Sequence, residues 1–150
     1  MRLLLIAGIA LALAVGSGGA VIETGSTTAR LTLDGKALRP ELALDSDARS
    51  LGLMNRRKAP ADGMLFVFPG PTRGGFWMKN TLVPLTIAFF NADGERVRKL
   101  PMTPCRTDEC PIYDPGRTYR FALELRASDL RPAKRLGPVR ELRRLVRRAR

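Results

Sequence analysis

Apolar residues along this chain recur in short runs separated by turn residues, a pattern typical of β-strands. The run Met64–Phe68 is continuously apolar and predicts a strand covered on both faces. Tyr119–Leu125 alternates instead, which predicts a strand with one buried face. We therefore predict a mainly β (α+β) domain, a small and mostly antiparallel β-barrel with one short helix.

The sequence of residues 30–44 predicts a β-hairpin. Arg30–Leu33 alternates, Asp34-Gly35 has the composition of a tight turn, and Lys36–Leu44 continues as a second strand. Pro40 lies inside this second strand and cannot donate a backbone hydrogen bond there. The second strand is therefore predicted to be an edge strand or a broken one.

A short helix is predicted between this hairpin and the apolar run. Asp45 or Ser46 can accept hydrogen bonds from the first backbone amides, and Gly52 ends the regular turn. Ala48 and Leu51 are expected on its buried side.

The segment Gly63–Asn91 contains five of the six phenylalanines and the only tryptophan, so it is the natural core. A polar triplet directly follows the tryptophan in this segment. We predict a pocket floored by an aromatic ring with nearby hydrogen-bond donors for an anionic or polyhydroxylated ligand. The candidate binding residues are Trp77, Lys79, Asn80 and Thr81, with Met54 and Arg56 from the loop after the helix. The alternative is an ordinary packed tryptophan followed by a solvated turn.

Histidine is absent from the sequence, which excludes catalytic Ser-His-Asp and Cys-His arrangements and histidine-containing zinc sites. Four methionines (54, 64, 78 and 102) raise the alternative of a copper(I) site, since thioethers bind that ion. Methionine is also an ordinary core residue, and core packing is the interpretation we favour. Asp108 and Glu109 could act as paired carboxylates, but a solvated turn is the simpler interpretation. No metal, cofactor or catalytic residue is predicted.

The N-terminus has the three parts of a secretory signal peptide: Met1-Arg2, the apolar run Leu3–Val15 and the small residues Gly16–Ala20. The alternative is an uncleaved membrane anchor over Leu3–Ile22. In either case the folded domain is expected outside the cytoplasm, secreted or periplasmic. The predicted organisation is a signal peptide (1–20), a linker (21–29), a barrel domain (30–130) and a basic tail (131–150).

Cys105 and Cys110 are the only cysteines, and prolines lie on both sides of them. In an oxidising compartment two such close cysteines are expected to form a disulfide. A redox-active pair is less favoured, because the spacing is not that of thioredoxin-like sites.

The net charge of +12 is concentrated in the tail, where residues 131–150 contain nine Lys or Arg and one Glu. Residues 138–150 have apolar positions near helical spacing, so the tail is either a basic amphipathic helix or a disordered extension. Because the protein is expected to be exported, we predict attraction to an anionic envelope surface, and no nucleic-acid partner.

Three motifs carry a family resemblance: GLM at 52–54, GMLF at 63–66 and FWMKNT at 76–81. Together with Leu123-Glu124-Leu125 they resemble the domain-of-unknown-function 192 family over roughly residues 30–127. The resemblance implies a small, mainly antiparallel β-barrel with a short helix, and no settled activity. Thr86 stands where that family commonly has an aspartate.

Two hypotheses of function follow, beside a third possibility, a structural or interaction protein that docks through its basic tail. The first is a non-enzymatic module that binds a small anionic or carbohydrate-like envelope ligand. The second is an enzyme, a hydrolase or transferase acting on an envelope polymer, with Lys79 as electrostatic stabiliser and an acid that the sequence does not identify. The absence of a nucleophile–base pair favours the first hypothesis.

Overall fold

The computed structural model describes residues 28–150. The predicted signal peptide and most of the predicted linker lie outside these residues. Among the helices of residues 28–150, none is long and apolar enough to cross a membrane.

Eight strands and two helices make up this part of the chain. The strands are β1 (Leu31–Leu33), β2 (Lys36–Leu38), β3 (Glu41–Ala43), β4 (Met64–Thr72), β5 (Leu85–Phe90), β6 (Arg96–Met102), β7 (Tyr119–Arg126) and β8 (Leu136–Gly137), and the helices are α1 (Ser46–Leu51) and α2 (Val139–Arg148).

The strands form two sheets. A five-stranded sheet has the order β3-β4-β7-β5-β6, and a three-stranded sheet has the order β2-β1-β8. The β3–β4 pair is parallel and every other pair is antiparallel. The predicted mainly β, α+β class is therefore confirmed. Within residues 28–150 the strands do not close into one barrel, and there are two helices instead of one.

Pro40 accounts for the division into two sheets. The strand predicted over Lys36–Leu44 is interrupted at Arg39 and Pro40, so β2 stays in the small sheet while β3 joins the large one. Proline cannot supply the amide that a continuous ladder needs. The Asp34-Gly35 turn forms as predicted, with both residues at positive φ (52° and 80°).

The large sheet has two covered faces, because successive side chains of a strand point to opposite sides. On one side Phe121, Leu123 and Leu125 pack with residues of the small sheet and of α2, including Leu33 and Leu142. We call this the sealed face.

On the other side Ala122 packs with Phe66 and Phe89 beneath α1 and the loops around Leu53 and Met78. We call this the open face. The two faces have separate hydrophobic cores, and β7 contributes Phe121, Leu123 and Leu125 to the first and Tyr119 and Ala122 to the second.

Helix α1 begins where the sequence predicts. The side chain of Asp45 accepts a hydrogen bond from the Ala48 amide (2.8 Å), and Gly52 ends the helix at φ 48°. None of its residues is fully buried, and Leu51 is 58% exposed, so the expected burial of Leu51 is wrong. The helix lies at the edge of the open face, where Ala48 packs against the core and Ser46, Arg49, Ser50 and Leu51 border a cavity.

The basic tail is structured. Leu142 and Leu145 of α2 are buried in the core of the sealed face. Just beyond the helix, the Arg150 amide donates to the Leu44 carbonyl oxygen (2.8 Å), and Arg49 donates to the Arg150 carbonyl oxygen (2.8 Å). Of the two alternatives, the amphipathic helix is the one that forms.

The predicted disulfide between Cys105 and Cys110 is confirmed. Cys105 also makes backbone hydrogen bonds with the segment after the tryptophan: its amide donates to Met78 (3.3 Å), and its carbonyl oxygen accepts from Asn80 (3.1 Å). The disulfide loop therefore helps to hold this segment over the open face.

Candidate functional site

The open face contains a cavity of about 380 Å³ that communicates with solvent. It lies between α1, the first part of β4, the loop 73–81 and β7. The residues that line it are Ser46, Arg49, Ser50, Leu51, Gly52, Leu53, Met54, Phe66, Phe68, Thr72, Gly74, Gly75, Phe76, Trp77, Thr81, Tyr119 and Glu124.

Aromatic rings form much of the cavity wall and support one another edge to face. Phe66 and Phe76 have ring centroids 4.9 Å apart, and Phe68 and Tyr119 have centroids 5.4 Å apart. Such pairs are attractive and hold their rings in fixed orientations. Trp77 belongs to the wall but is 49% exposed, so part of its ring is available to a ligand.

Glu124 is the acidic residue of the wall. It lies on β7 between Met64 of β4 and Ile87 of β5, which are its direct partners in the sheet. Only 5% of its surface is exposed, and its carboxyl group makes no hydrogen bond within residues 28–150. Among the described residues, the fully buried side-chain atom without a hydrogen-bond partner is Oδ2 of Asp34, so the carboxyl oxygens of Glu124 remain accessible from the cavity.

Burial raises the pKa of Glu124 from 4.5 to about 8. The cause is the loss of water around the carboxyl group, which disfavours the charged form. At neutral pH the side chain is therefore mainly protonated, with one hydrogen to donate and an oxygen to accept. It offers the cavity a neutral polar group.

Other polar groups at the cavity are already engaged. Tyr119 donates to the Gly74 carbonyl oxygen (2.6 Å), and burial, with a smaller effect of the Asp114 charge, raises the pKa of Tyr119. Arg49 donates to the carbonyl oxygens of Leu44 (2.8 Å) and Val67 (3.0 Å), and its guanidinium lies 5.2 Å from the Phe68 ring centroid. The side chain of Arg49 therefore mainly stabilises the fold, by joining α1 to β4.

Three of the residues predicted to bind ligand lie together on the cavity wall: Trp77, Thr81 and Met54. Thr81 is 5% exposed, and its hydroxyl donates a long hydrogen bond to the Lys79 carbonyl oxygen (3.5 Å). The aromatic surface and a hydroxyl thus converge as the motif suggested.

The other three predicted residues do not line the cavity. Lys79 donates to Asp108 of the disulfide loop (2.9 Å), and Arg56 donates to Glu41 (2.7 Å). Asn80 has a positive φ of 55°, and its carbonyl oxygen accepts from the Asn55 amide (2.8 Å), so it shapes the turn. Asp108 forms this ion pair with Lys79 and does not line the cavity.

Sequence reasoning missed Glu124, which looked like a polar position on the outer side of an alternating strand. The signal that could have found it is the continuously apolar run Met64–Phe68, which predicts a strand covered on both sides. A neighbouring strand in the same sheet is then covered on both sides as well. An acidic residue within it would be buried.

The methionines divide between packing and the cavity. Met64, Met78 and Met102 are buried in the core of the open face, and Met54 lies on the cavity wall. Within residues 28–150 no group of three or more histidine, cysteine or acidic side chains is placed to hold a metal ion.

Comparison with known proteins places the chain in a family. The family model DUF192, described as "Uncharacterized ACR", matches residues 29–134. The chain belongs to the DUF192 family. This confirms the resemblance carried by the GLM, GMLF and FWMKNT motifs. No curated protein gives a significant match to the chain.

Two solved structures are similar. A Sinorhizobium meliloti protein, described provisionally as a transcription regulator, is 32% identical with a TM-score of 0.67, and the match covers 77% of this chain and 96% of that one. A Novosphingobium aromaticivorans protein of unknown function is 22% identical with a TM-score of 0.65, and the match covers 78% of this chain and 89% of that one. The second likeness shows the shared fold alone.

Proposed function

We propose that this DUF192 protein is a non-enzymatic binding module located outside the cytoplasm, and that its cavity takes a small, neutral, carbohydrate-like ligand. The observation that carries the proposal is the unpartnered carboxyl group of Glu124 at the wall of an aromatic cavity. Binding sites of small molecules are mainly apolar, with a few polar groups that orient the ligand. The cavity volume of about 380 Å³ is of the size such sites have.

The charges around the cavity favour a neutral ligand over an anionic one. Lys79 and Arg56, the cations expected to attract an anion, are paired with Asp108 and Glu41 and do not line the cavity. The guanidinium of Arg49 donates its hydrogen bonds to backbone carbonyl oxygens. Glu124 would repel an anion whenever it is ionised, so the carbohydrate-like alternative has the stronger support.

Polyhydroxylated ligands suit the groups that remain. The exposed part of the Trp77 ring offers a flat apolar surface to the C–H faces of a sugar ring. Protonated Glu124 and the Thr81 hydroxyl can exchange hydrogen bonds with ligand hydroxyls. Because both groups are buried, each such hydrogen bond forms in a medium of low polarity, where it contributes more than it does in water.

The location rests on two features. The N-terminal sequence has the composition of a signal peptide, and the Cys105–Cys110 disulfide is typical of oxidising compartments. A secreted or periplasmic site supplies envelope saccharides as ligands.

A second candidate function is supported by the same residue. A buried carboxylic acid with a raised pKa is the usual general acid of glycoside hydrolysis, so Glu124 could act on an envelope polymer. That chemistry ordinarily needs a second carboxylate across the scissile bond. Among the described residues that line the cavity, Glu124 is the only acid, which favours binding over hydrolysis.

The test is a ligand screen on residues 21–150 with mono- and disaccharides of envelope polymers, read by thermal shift and by Trp77 fluorescence. A true ligand raises the melting temperature by mass action and changes the tryptophan signal. Glu124→Gln keeps a neutral hydrogen-bonding group and should retain binding within about tenfold, whereas Glu124→Leu should abolish it.

Lys79→Ala is the matched control, because Lys79 lies beside the tryptophan motif but not on the cavity. It should bind like the wild type. Loss of binding in Lys79→Ala with retention in Glu124→Leu would overturn the cavity as the binding site. Saccharide hydrolysis by the wild type that is lost in Glu124→Gln would establish the enzyme alternative.

A further inference from the structure

The outer side of α2 is a concentrated patch of arginines. The helix contains five arginines and one glutamate. Arg140, Arg143, Arg144, Arg147 and Arg148 are all exposed, and residues three or four apart in this set are neighbours on the helix surface. We call these five residues the arginine face.

The arginine face is poorly neutralised. Glu141 interacts with Arg144 (3.1 Å) and Arg140 (3.4 Å), and within residues 28–150 the side chains of Arg143, Arg147 and Arg148 make no ion pair. Like charges at this spacing destabilise a helix. The helix dipole favours cations in the last turn and so accounts for Arg147 and Arg148, but it does not account for Arg140 or Arg143.

The opposite side of α2 is fully used in folding. Leu142 and Leu145 are buried in the core of the sealed face, and Val146 and Ala149 pack against it. The helix therefore has no free apolar side to insert into a bilayer. It is also fixed beyond its C-terminal end, where the Arg150 amide donates to the Leu44 carbonyl oxygen. The arginines are thus presented from a rigid support, and their interaction with a partner is electrostatic.

We propose that the arginine face docks the protein on a bilayer surface that carries anionic phospholipid headgroups. Arginine matches phosphate oxygens with two parallel hydrogen bonds, and clusters of basic residues bind anionic lipid surfaces. The disulfide and the signal-peptide composition favour an envelope surface over nucleic acid, the other polyanion that such a face could bind.

Docking through α2 leaves the cavity accessible. The helix packs on the sealed face, whereas the cavity lies on the open face, on the other side of the large sheet. A protein held by its arginine face therefore presents the cavity away from the lipid surface. The proposal is independent of which ligand the cavity takes.

The experiment is co-sedimentation of residues 21–150 with vesicles of phosphatidylcholine alone and of phosphatidylcholine mixed with phosphatidylglycerol. The wild type should bind only the anionic vesicles. Binding should be lost on raising the ionic strength from about 0.1 M to about 1 M, where the Debye length falls from about 10 Å to about 3 Å.

The triple variant Arg143→Gln/Arg147→Gln/Arg148→Gln should bind anionic vesicles about 100-fold more weakly, at about fivefold for each basic residue. The matched control is Arg57→Gln/Arg106→Gln/Arg117→Gln, which removes the same charge from exposed positions outside α2. The control should retain most of the binding. Circular dichroism of both variants checks that the fold is kept.

Several outcomes would overturn the proposal. Equal losses in both triple variants would show that net charge alone is responsible. Binding to uncharged vesicles would show an apolar contact. Binding to duplex DNA or to an anionic wall polymer, without binding to anionic vesicles, would assign the arginine face to that polyanion instead.

Discussion

The two faces of the large sheet differ in how completely they are filled. The sealed face is covered by a second sheet and a helix, and its core contains apolar side chains throughout. The open face is covered by a short helix and loops, and it keeps a cavity with a buried acid and a half-exposed tryptophan. The open face contains features that cost stability, which is where a binding function is expected.

The largest expected effect that tests the difference between the two faces is the titration of Glu124, the acid of the open face. The folded pKa of Glu124 is about 8, against 4.5 for the exposed group. Its protonation therefore stabilises the fold fully below about pH 4.5, and this contribution is lost as the pH rises through 8. At about 1.4 kcal/mol per pKa unit, the loss is about 5 kcal/mol.

The measurement is the free energy of unfolding in urea between pH 4.5 and pH 9, for wild type and Glu124→Gln. Glutamine does not ionise, so the variant should lack this decline. Parallel pH profiles for the two proteins would show that Glu124 is not buried as an acid.

A second test addresses the close approach of the backbone at Gly63 to β7. Gly63 has a positive φ of 75°, and a Cβ at this position would lie 2.0 Å from the Glu124 carbonyl oxygen. Gly63→Ala should therefore lower the free energy of unfolding by about 4 kcal/mol, from backbone strain and overpacking together. Gly70→Ala, with nothing within 4 Å of the added atom, should change it little. Equal effects at the two glycines would contradict the close contact.

The third test separates stability from binding across the two faces. Leu142→Ala removes a buried side chain from the sealed face and should cost about 3 kcal/mol, with ligand affinity unchanged. Trp77→Ala removes a half-exposed ring from the cavity wall, so it should cost less than about 1.5 kcal/mol of stability and most of the binding. Urea unfolding and ligand titration of both variants would be compared. Loss of binding in Leu142→Ala would show that the faces are coupled.

The smallest expected effect concerns the disulfide. Replacing Cys105 and Cys110 together by serine should cost about 2 kcal/mol, the chain-entropy value for so small a loop. Because Cys105 holds the segment after the tryptophan, hydrogen exchange should rise at the amides of Asn80 and of residue 105 and stay unchanged at Leu123 on the sealed face. A uniform rise across both faces would contradict a local role for the disulfide.

Much of the fold could be predicted from local signals. The Asp34-Gly35 turn, the Asp45 cap and strand β7 are predicted by short stretches of sequence, and all three form, but β7 is buried on both faces and not on one as predicted. The division into two sheets could not be predicted, because it depends on the pairing of β1 with the distant β8 and of β3 with β4. Pairing of distant strands has no local signature.

The candidate site was predictable only in part. The motif after Gly75 drew attention to Trp77 and Thr81, since aromatic and hydroxyl groups beside a turn are conspicuous, and both residues lie on the cavity wall. Lys79 was given a binding role because its partner Asp108 lies in a distant loop. Glu124 was missed because the strands that surround it, β4 and β5, are far from it in the sequence.

The pairing of β1 with β8 has a consequence for the order of events in folding. Leu33 pairs in register with Leu136, and Asp34 accepts hydrogen bonds from backbone amides about 100 residues further along the chain. Pairings of such long sequence separation form slowly, since a large loop must be closed first. The small sheet therefore cannot be completed until the C-terminal segment has been synthesised.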